Sequence, residues 1–259
     1  MGSISDLLKV AASSGLILKP LGSPTLGGYR LIFQNSTIVK SYGNTLLYVV
    51  SATLFGLVLN ILAAYVMSAK GLVFGKAFSM FVLFTMIFNG GLIPTLVVIN
   101  KLGMYDTRWA IILPGALSAF NIIIMRTSFQ ELPSEMLEAA RIDGASDFKI
   151  LMQIVLPVSK AIIAVIVLFY GVQHWNAWFN ASIYLRNRDL YPLQLVLREI
   201  VLTSTENAIV ADADGQDVMI YRPLIKYATI MVSIIPMMII YPFVQKYFVS
   251  GVMIGAVKG

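Results

Sequence analysis

Charged residues are scarce in this sequence, and cysteine is absent. Asp, Glu, Lys and Arg make up 12% of its 259 residues, which is roughly half the share in an average soluble domain. So few charges cannot cover a soluble surface, and 58% of the residues are hydrophobic. The lack of cysteine excludes disulfides and cysteine-based metal or redox sites, although it does not fix the compartment. The composition predicts an integral membrane protein whose residues 1–259 form one membrane domain.

Groups that perform chemistry are scarce as well. Asp and Glu are missing from every long apolar stretch, and no inverted repeat is visible, which argues against an ion-coupled secondary transporter. One histidine, His174, and no cysteine leave little material for a membrane-embedded enzyme. A phosphate-binding G-x4-GK[ST] loop is absent, since Gly71 to Gly75-Lys76 has the wrong gap. The net charge of +6 comes without a basic run, which argues against nucleic acid and fits anionic lipid.

Five stretches carry no charge and are of the length that crosses a bilayer as a helix. They are residues 41–69, 77–100, 109–125, 161–185 and 227–245. None shows the period-two alternation of a membrane β-barrel, so the expected fold class is all-α and polytopic, with five transmembrane helices. Gly90-Gly91 followed by Pro94 predicts a break within the second stretch.

A polar island separates the third stretch from the fourth. Five of the 13 acidic residues lie between Glu131 and Asp147, and unpaired charges are costly in hydrocarbon, so the island must lie outside it. The pattern predicts two short helices that meet at Gly144, because glycine takes the left-handed conformation easily. Ser134 is expected to cap the first helix, and Ser146 or Asp147 the second.

The second helix of the island is expected to be amphipathic. Four apolar residues follow the i, i+3, i+4, i+7 spacing that places side chains on one helix face. They are Phe148, Leu151, Met152 and Val155. Pro157 is expected to end this helix or to kink it into the next span.

The island resembles the EAA loop of the permease subunits of ABC importers. Glu138-Ala139-Ala140 is followed after three residues by Gly144 and, nine residues later, by Ile154-Val155-Leu156-Pro157, which matches EAA-x3-G-x9-I-x-LP at every named position. The resemblance implies a type I ABC importer fold, in which this loop is a coupling helix that docks onto a cytoplasmic ATPase. The ATPase-coupling residues that it implies are Glu138, Ala139, Ala140, Asp143, Gly144, Ile154, Leu156 and Pro157. An amphipathic linker between two spans is the weaker alternative, because the pattern is complete.

Other stretches extend the resemblance over most of the chain: Gly28-Tyr29 with Phe33, residues 190–195, and the terminal residues 255–259. They look like the MalG-like permeases of the binding-protein-dependent carbohydrate uptake family, in the subgroup for complex oligosaccharides or polysaccharide fragments. The implied topology has four parts outside the membrane. They are a periplasmic segment at 1–40, a cytoplasmic coupling loop at 131–158, a periplasmic loop at 186–222 and a cytoplasmic tail at 247–259. The family usually has six transmembrane helices, so either five are natural in this chain or the sequence starts late.

The resemblance also implies a function and an assembly. The chain would be a permease subunit, not itself an enzyme, that translocates a carbohydrate across the bacterial cytoplasmic (inner) membrane. Its partners would be a second permease subunit, two ATPase subunits, an extracytoplasmic solute-binding protein and membrane lipid. No cofactor is expected in this chain, because ATP and Mg would bind the ATPase partners. A permease for a non-sugar solute is the alternative.

The terminus and the orientation carry two further expectations. The slender tail, with Gly255 and Lys258, would insert between the ATPase subunits, whereas a frayed end is the alternative. The implied topology places 8 of the 19 basic residues inside (70, 76, 126, 141, 149, 160, 246, 258) and the other 11 outside. Cytoplasmic loops normally carry the excess of Lys and Arg, so the orientation depends on the resemblance and not on charge.

Polar and aromatic side chains within the apolar stretches are candidates for the substrate path. They are Asn89, Asn121, His174, Trp175, Asn176, Trp178 and Asn180. Amides and aromatic faces suit the hydroxyl edges and apolar faces of sugar rings. A single asparagine also serves as a helix–helix contact, and tryptophan collects at the membrane interface, so structural roles remain the alternative.

Overall fold

The computed structural model describes residues 27–69, 71–202 and 227–242. This part of the chain is helical and contains no strand, as the sequence predicted. Its helices are α1 Gly27–Gln34, α2 Ser36–Ser68, α3 Gly75–Ile87, α4 Leu92–Lys101, α5 Trp109–Ile112, α6 Ala119–Gln130, α7 Ser134–Ile142, α8 Asp147–Val158, α9 Lys160–Trp175, α10 Phe179–Tyr184, α11 Leu193–Leu202 and α12 Tyr227–Pro242. Helix α8 contains one π-turn, Leu151–Val155, and a 3-10 turn, Arg188–Leu190, precedes α11.

Helix α2 is the one described helix that is long and apolar enough to cross a membrane alone. It extends over 33 residues, and Lys40 near its start is its only charged residue. The Asn35 side chain caps it by accepting a hydrogen bond from the Ile38 N–H at 3.2 Å. This helix confirms the first predicted span, although it begins at Ser36 and not at residue 41.

Two pairs of helices bend sharply where the sequence predicted breaks. Helices α3 and α4 meet at 109°, and Gly91 between them has a φ of 90°. Helices α8 and α9 meet at 84°, just after Pro157. If each bent pair counts as one span, the described residues contain up to three candidate spans.

The third and fourth predicted spans are not continuous helices. Residues 109–125 divide between α5 and α6, with irregular backbone at 113–118, and residues 161–185 divide between α9 and α10. Pro114 lacks an N–H and Gly115 has low helix propensity, so the first of these breaks follows from backbone chemistry that hydropathy ignores. Helix α12 covers the described part of the fifth stretch, and the total of five transmembrane helices stays a prediction.

The described residues form two compact units: residues 27–47 with 175–202 and 227–241, and residues 48–69 with 71–174 and 242. We call them the 175–241 unit and the 48–174 unit. The core of the 48–174 unit consists of Ala64, Met67, Val82, Ile122, Met125, Phe129, Ile150, Leu151, Val155, Ile166 and Tyr170. These side chains come from α2, α3, α6, α8 and α9, so one apolar core holds the helices on both sides of the polar island.

Hydrogen bonds organise the 175–241 unit around the start of α2. The Asn44 amide donates to the carbonyl oxygens of Asp189 at 2.6 Å and of Tyr191 at 3.3 Å. The Leu193 N–H donates to the Thr45 hydroxyl at 2.8 Å. These bonds satisfy the backbone of the turn that leads into α11, and therefore fix where α11 begins.

Candidate coupling loop and substrate path

Helix α7 ends in a Schellman motif at the predicted glycine. Gly144 has a φ of 78°, in the left-handed region. The Ala145 N–H donates to the Ala140 carbonyl at 2.9 Å, and the Gly144 N–H donates to the Arg141 carbonyl at 3.0 Å. These are the two hydrogen bonds that define this helix end. The prediction of a helix stop at Gly144 is confirmed.

Replacing Gly144 by alanine is expected to loosen the loop. An added Cβ would meet no atom within 4 Å, so the effect comes from the left-handed backbone, which costs an L-residue about 1–2 kcal/mol. Amide hydrogen exchange at Ala145 should become roughly 5- to 30-fold faster. Gly144→Asn should have a smaller effect, because asparagine tolerates this conformation better. Gly171→Ala is the control, since that glycine also has open space around it but lies within α9. Unchanged exchange in Gly144→Ala would contradict the role of the backbone.

The caps of the two loop helices differ from each other. Ser134 is the first helical residue of α7 and not its cap; the cap position is held by Pro133, whose side chain accepts no hydrogen bond. The prediction for Ser134 is therefore wrong by one residue, because Pro133 has the extended backbone that precedes a helix. Ser146 caps α8 by accepting from the Lys149 N–H at 3.4 Å, while Asp147 lies in the first turn.

One side of the loop packs inward. Leu137, Ala140 and Ala145 are partly buried against the core of the 48–174 unit, and Ile150 is fully buried within it. Ile154 and Leu156 of the EAA pattern also pack against this core. These residues hold the loop on the helices below it, which is a structural role.

The rest of the loop is exposed and carries both charged and large apolar side chains. Ile142 is 86% exposed and Phe148 is 64% exposed. Glu138, Ala139 and Asp143 of the pattern are exposed as well. An ion pair of Arg141 with Asp147, 3.3 Å long, joins the two helices at the surface, where such pairs contribute little stability. We call the exposed side chains of Ile142 and Phe148 the outer patch.

The prediction that the four apolar side chains of α8 share one helix face is wrong. Leu151 and Val155 are buried, whereas Phe148 is 64% and Met152 is 44% exposed. The π-turn at Leu151–Val155 has more residues per turn than an α-helix, and so changes the direction in which successive side chains point. Phe148, like Ile142, is exposed at the surface.

A buried polar network lies in the 48–174 unit around the irregular segment 113–118. The Asn60 amide donates to the Ala116 carbonyl at 2.9 Å and to the Tyr170 hydroxyl at 2.6 Å. The Tyr170 hydroxyl donates to the same Ala116 carbonyl at 2.8 Å. The Ser118 N–H donates to the Asn60 side-chain oxygen at 3.4 Å. Non-helical backbone at membrane depth must have its polar groups satisfied within the protein, and this network does so.

Two of the predicted substrate-path residues adjoin this network. The Asn121 side chain is buried close to the Tyr170 hydroxyl. The Tyr170 ring stacks on His174 with ring centroids 5.9 Å apart, and the His174 Nε2 atom is buried without a hydrogen-bond partner. Asn89, by contrast, lies exposed in the break between α3 and α4, where it accepts from the Gly91 N–H.

The other predicted path residues lie in the 175–241 unit. The buried Trp175 donates from its indole N–H to the Ser233 carbonyl at 3.0 Å, which gives it a structural role. The Arg198 guanidinium stacks 3.5 Å from the centre of the Trp178 ring. Asn176 and Asn180 are exposed. The structure thus divides the predicted set between two units, and its role in transport stays a prediction.

Sequence reasoning missed Tyr170 and Arg198. Tyr170 precedes His174 by four residues on α9, and residues at that spacing share a helix face. This spacing was a local signal that Tyr170 lies beside His174. Nothing local indicated that Arg198 would stack on Trp178, because Trp178 directly precedes α10 whereas Arg198 lies within α11.

The helices, the polar island and the buried network define a class of protein: a helical membrane protein with a structured polar loop between its apolar helices. Residues 61–254 match the family described as the binding-protein-dependent transport system inner membrane component. The match covers well over half of the chain. The chain belongs to this family and is a permease subunit of an ABC transporter.

The relatives agree with this assignment. The polygalacturonan/rhamnogalacturonan transport system permease protein YtcP of Bacillus subtilis (strain 168) is 40% identical over 235 residues, which cover 91% of this chain and 82% of YtcP. A crystal structure of a bacterial ABC transporter involved in the import of the acidic polysaccharide alginate matches with a TM-score of 0.87 and 32% identity, over 95% of this chain and 87% of that chain. A bacterial alginate ABC transporter in complex with an alginate pentasaccharide-bound periplasmic protein matches with a TM-score of 0.58 and 15% identity, over 85% and 81% of the two chains, and shows the fold alone.

Proposed function

We propose that this permease passes an oligosaccharide or polysaccharide fragment across the bacterial inner membrane, and that the fragment is acidic. The support comes from two relatives: one is named for polygalacturonan and rhamnogalacturonan, and the other imports alginate. Both names denote polymers that contain uronic acids. In this proposal an extracytoplasmic binding protein delivers the saccharide, and a second permease subunit completes the path.

The observation that carries the coupling role is the outer patch. Ile142 and Phe148 expose large apolar side chains to water on a loop that a Schellman motif and an apolar core hold in place. Such a patch next to a rigid support is the kind of surface that a partner protein covers. The proposed partner is an ATPase subunit, which would bind ATP and Mg, so that this chain performs no covalent chemistry. ATP-driven motion of the ATPase pair would then reach the membrane helices as a rigid-body movement.

The periplasmic loop and the tail remain parts of the proposal. The described start of the loop, up to Leu202, contains the 3-10 turn and α11, joined by an ion pair of Arg188 with Glu199 at 2.7 Å. Residues 203–226 and the tail contacts Gly255 and Lys258 lie outside the described residues. We assign the loop to contact with the binding protein, and the tail to contact with the ATPase pair.

The absence of cysteine makes an orientation test direct, because any introduced cysteine is unique. Ala139→Cys, at an exposed site of the loop, should crosslink to the ATPase and resist a membrane-impermeant maleimide in intact cells. Arg186→Cys, exposed at the start of the proposed periplasmic loop, should react with the maleimide. Ala140→Cys is the control for side-chain direction, because Ala140 packs against the core and should crosslink poorly. The reverse labelling of Ala139→Cys and Arg186→Cys would overturn the orientation.

The substrate class needs a separate measurement. The complex, reconstituted with its binding protein, should hydrolyse ATP faster when galacturonate or alginate oligosaccharides are added. A neutral maltodextrin of similar length is the control and should have little effect. Stimulation by maltodextrin alone would contradict the acidic class, and stimulation by no saccharide would contradict carbohydrate transport.

A further inference from the structure

A cavity of about 490 Å³ opens in the 48–174 unit, and none of its lining residues belongs to the outer patch or to the buried polar network. Its walls come from the end of α2, from α3 and from the end of α6. Four of its lining residues are polar: Lys76, Ser79, Arg126 and Gln130. The side chains of Met67, Leu72, Met80 and Leu83 make the rest of its wall largely apolar.

Arg126 lines this cavity and forms no ion pair with an acidic residue of the described part of the chain. Its Nη1 donates to the Ser79 hydroxyl at 3.0 Å, and that hydroxyl donates to the Gly75 carbonyl at 2.7 Å, which fixes it as the acceptor. The Nε of Arg126 is buried and has no hydrogen-bond partner. A guanidinium offers five N–H donors, so several remain for a ligand.

Lys76 adds a second cation to the same cavity. Among the described residues the ion pairs are Lys40–Asp189, Arg141–Asp147 and Arg188–Glu199, none of which includes Lys76 or Arg126. Two neighbouring cations repel each other, and a partly buried guanidinium without an anion is costly at the membrane. An anion between the two would relieve both costs.

The two basic residues of the cavity lie at the ends of charge-free stretches, since Lys76 directly precedes residues 77–100 and Arg126 directly follows residues 109–125. Arg126 and Gln130 belong to the end of α6, just before the polar island begins at Glu131. An arginine at the end of a span can simply extend to water. In Arg126, by contrast, Ser79 accepts a hydrogen bond from Nη1, and Nε is buried.

The cavity also borders an apolar surface. Met80 and Leu83 line it and are 68% and 43% exposed, and Phe81 and Phe84 on α3 are 62% and 53% exposed. In a membrane-spanning chain, an exposed apolar surface of this kind is suited to contact with acyl chains. The ligand that matches both parts of the cavity therefore has an anionic head and an apolar tail.

We propose that this cavity binds the phosphate of an anionic phospholipid between Lys76 and Arg126. The phosphodiester oxygens accept hydrogen bonds from the guanidinium and the ammonium group, and the acyl chains follow Met80 and Leu83 along α3. Basic pockets between membrane helices bind lipid head groups by this chemistry. This inference goes beyond the proposed function and does not depend on the identity of the saccharide.

The test uses the whole complex, reconstituted in nanodiscs of phosphatidylglycerol and phosphatidylcholine and then examined by native mass spectrometry. The wild-type complex should retain more phosphatidylglycerol than Arg126→Gln and Lys76→Gln, each of which should weaken retention by roughly five-fold. Lys160→Gln is the matched control, since Lys160 is also exposed but does not line the cavity, and it should retain lipid like the wild type. Lys76 lies exposed in the first turn of α3, so its replacement tests the site even if Arg126→Gln fails to assemble.

A further measurement distinguishes a lipid phosphate from a free phosphate ion. Inorganic phosphate at millimolar concentration should not displace the phosphatidylglycerol, because it lacks the apolar tail. Displacement by phosphate would assign the site to a free anion and overturn the lipid. Equal retention of phosphatidylglycerol by the wild type, Lys76→Gln and Lys160→Gln would overturn the site altogether.

Discussion

Replacing Gly56 by alanine is expected to destabilise the protein, whereas the same replacement at Gly43 on the same helix is not. A Cβ at Gly56 would lie 2.9 Å from the Ala116 carbonyl oxygen and 3.0 Å from two atoms of the Tyr170 ring. Both neighbours belong to the buried polar network. The Ala116 oxygen is backbone and the Tyr170 ring is fully buried, so neither can move away without disturbing the network.

The expected loss of stability in Gly56→Ala is the sum of two costs and one gain. Crowding in a packed interior costs about 1–3 kcal/mol, and each weakened hydrogen bond within a membrane costs about 0.6 kcal/mol. Alanine in place of glycine in a helix gains about 1 kcal/mol. The net loss at Gly56 is therefore about 1–3 kcal/mol. At Gly43 no atom lies within 4 Å of an added Cβ, so only the gain applies.

Thermal unfolding of the purified complex, followed by fluorescence-detected size exclusion, measures this difference. Gly56→Ala should unfold at a lower temperature than the wild type, and Gly43→Ala at the same or a higher temperature. Gly56→Val should lower the unfolding temperature more than Gly56→Ala does, because a larger side chain meets the same neighbouring atoms. Equal unfolding temperatures for Gly56→Ala and Gly43→Ala would show that the close approach of α2 to segment 113–118 is not important for stability.

Replacing the outer patch by acidic residues should separate the permease from its ATPase without unfolding it. Ile142→Asp and Phe148→Asp change side chains that are 86% and 64% exposed, so the stability of the chain itself should hardly change. If the patch is the centre of the interface, each change should cost 2 kcal/mol or more of binding, or roughly 30-fold in affinity. This expected loss of affinity depends on the proposal that the loop docks onto the ATPase.

Titration of the ATPase subunit onto the permease in nanodiscs provides the affinity, and thermal unfolding of the permease provides the stability. Ile142→Val should bind like the wild type, and Glu135→Gln, an exposed change on the same helix α7, is the control for charge. Ile150→Ala should lower the stability of the permease and not directly its affinity for the ATPase, which is the reverse of Ile142→Asp. Ile150 is 1% exposed, and its truncation costs about 2–5 kcal/mol of stability. Unchanged ATPase binding by both acidic variants would remove the outer patch from the interface.

Local chemistry made some features predictable. Gly144 ends α7 because a left-handed residue is required there, and glycine takes that conformation with no steric cost. Gly91 and Pro157 mark bends for similarly local reasons, since one lacks a side chain and the other an N–H. The EAA pattern identified the family because its residues lie close together in the chain, and the family match over residues 61–254 confirms it.

The sequence by itself determined the membrane class, the helical fold class, the polar loop and its helix stop, because composition and short-range backbone preferences act within a few residues. Only the tertiary structure decided that Ala140 packs inward while Ala139 is exposed, since the two differ only in what lies beneath them. It also decided that Asn60 and Tyr170, 110 residues apart, satisfy one carbonyl within the irregular segment 113–118. A hydrogen bond between distant helices depends on how the helices pack, and hydropathy along a single stretch contains no information about that packing.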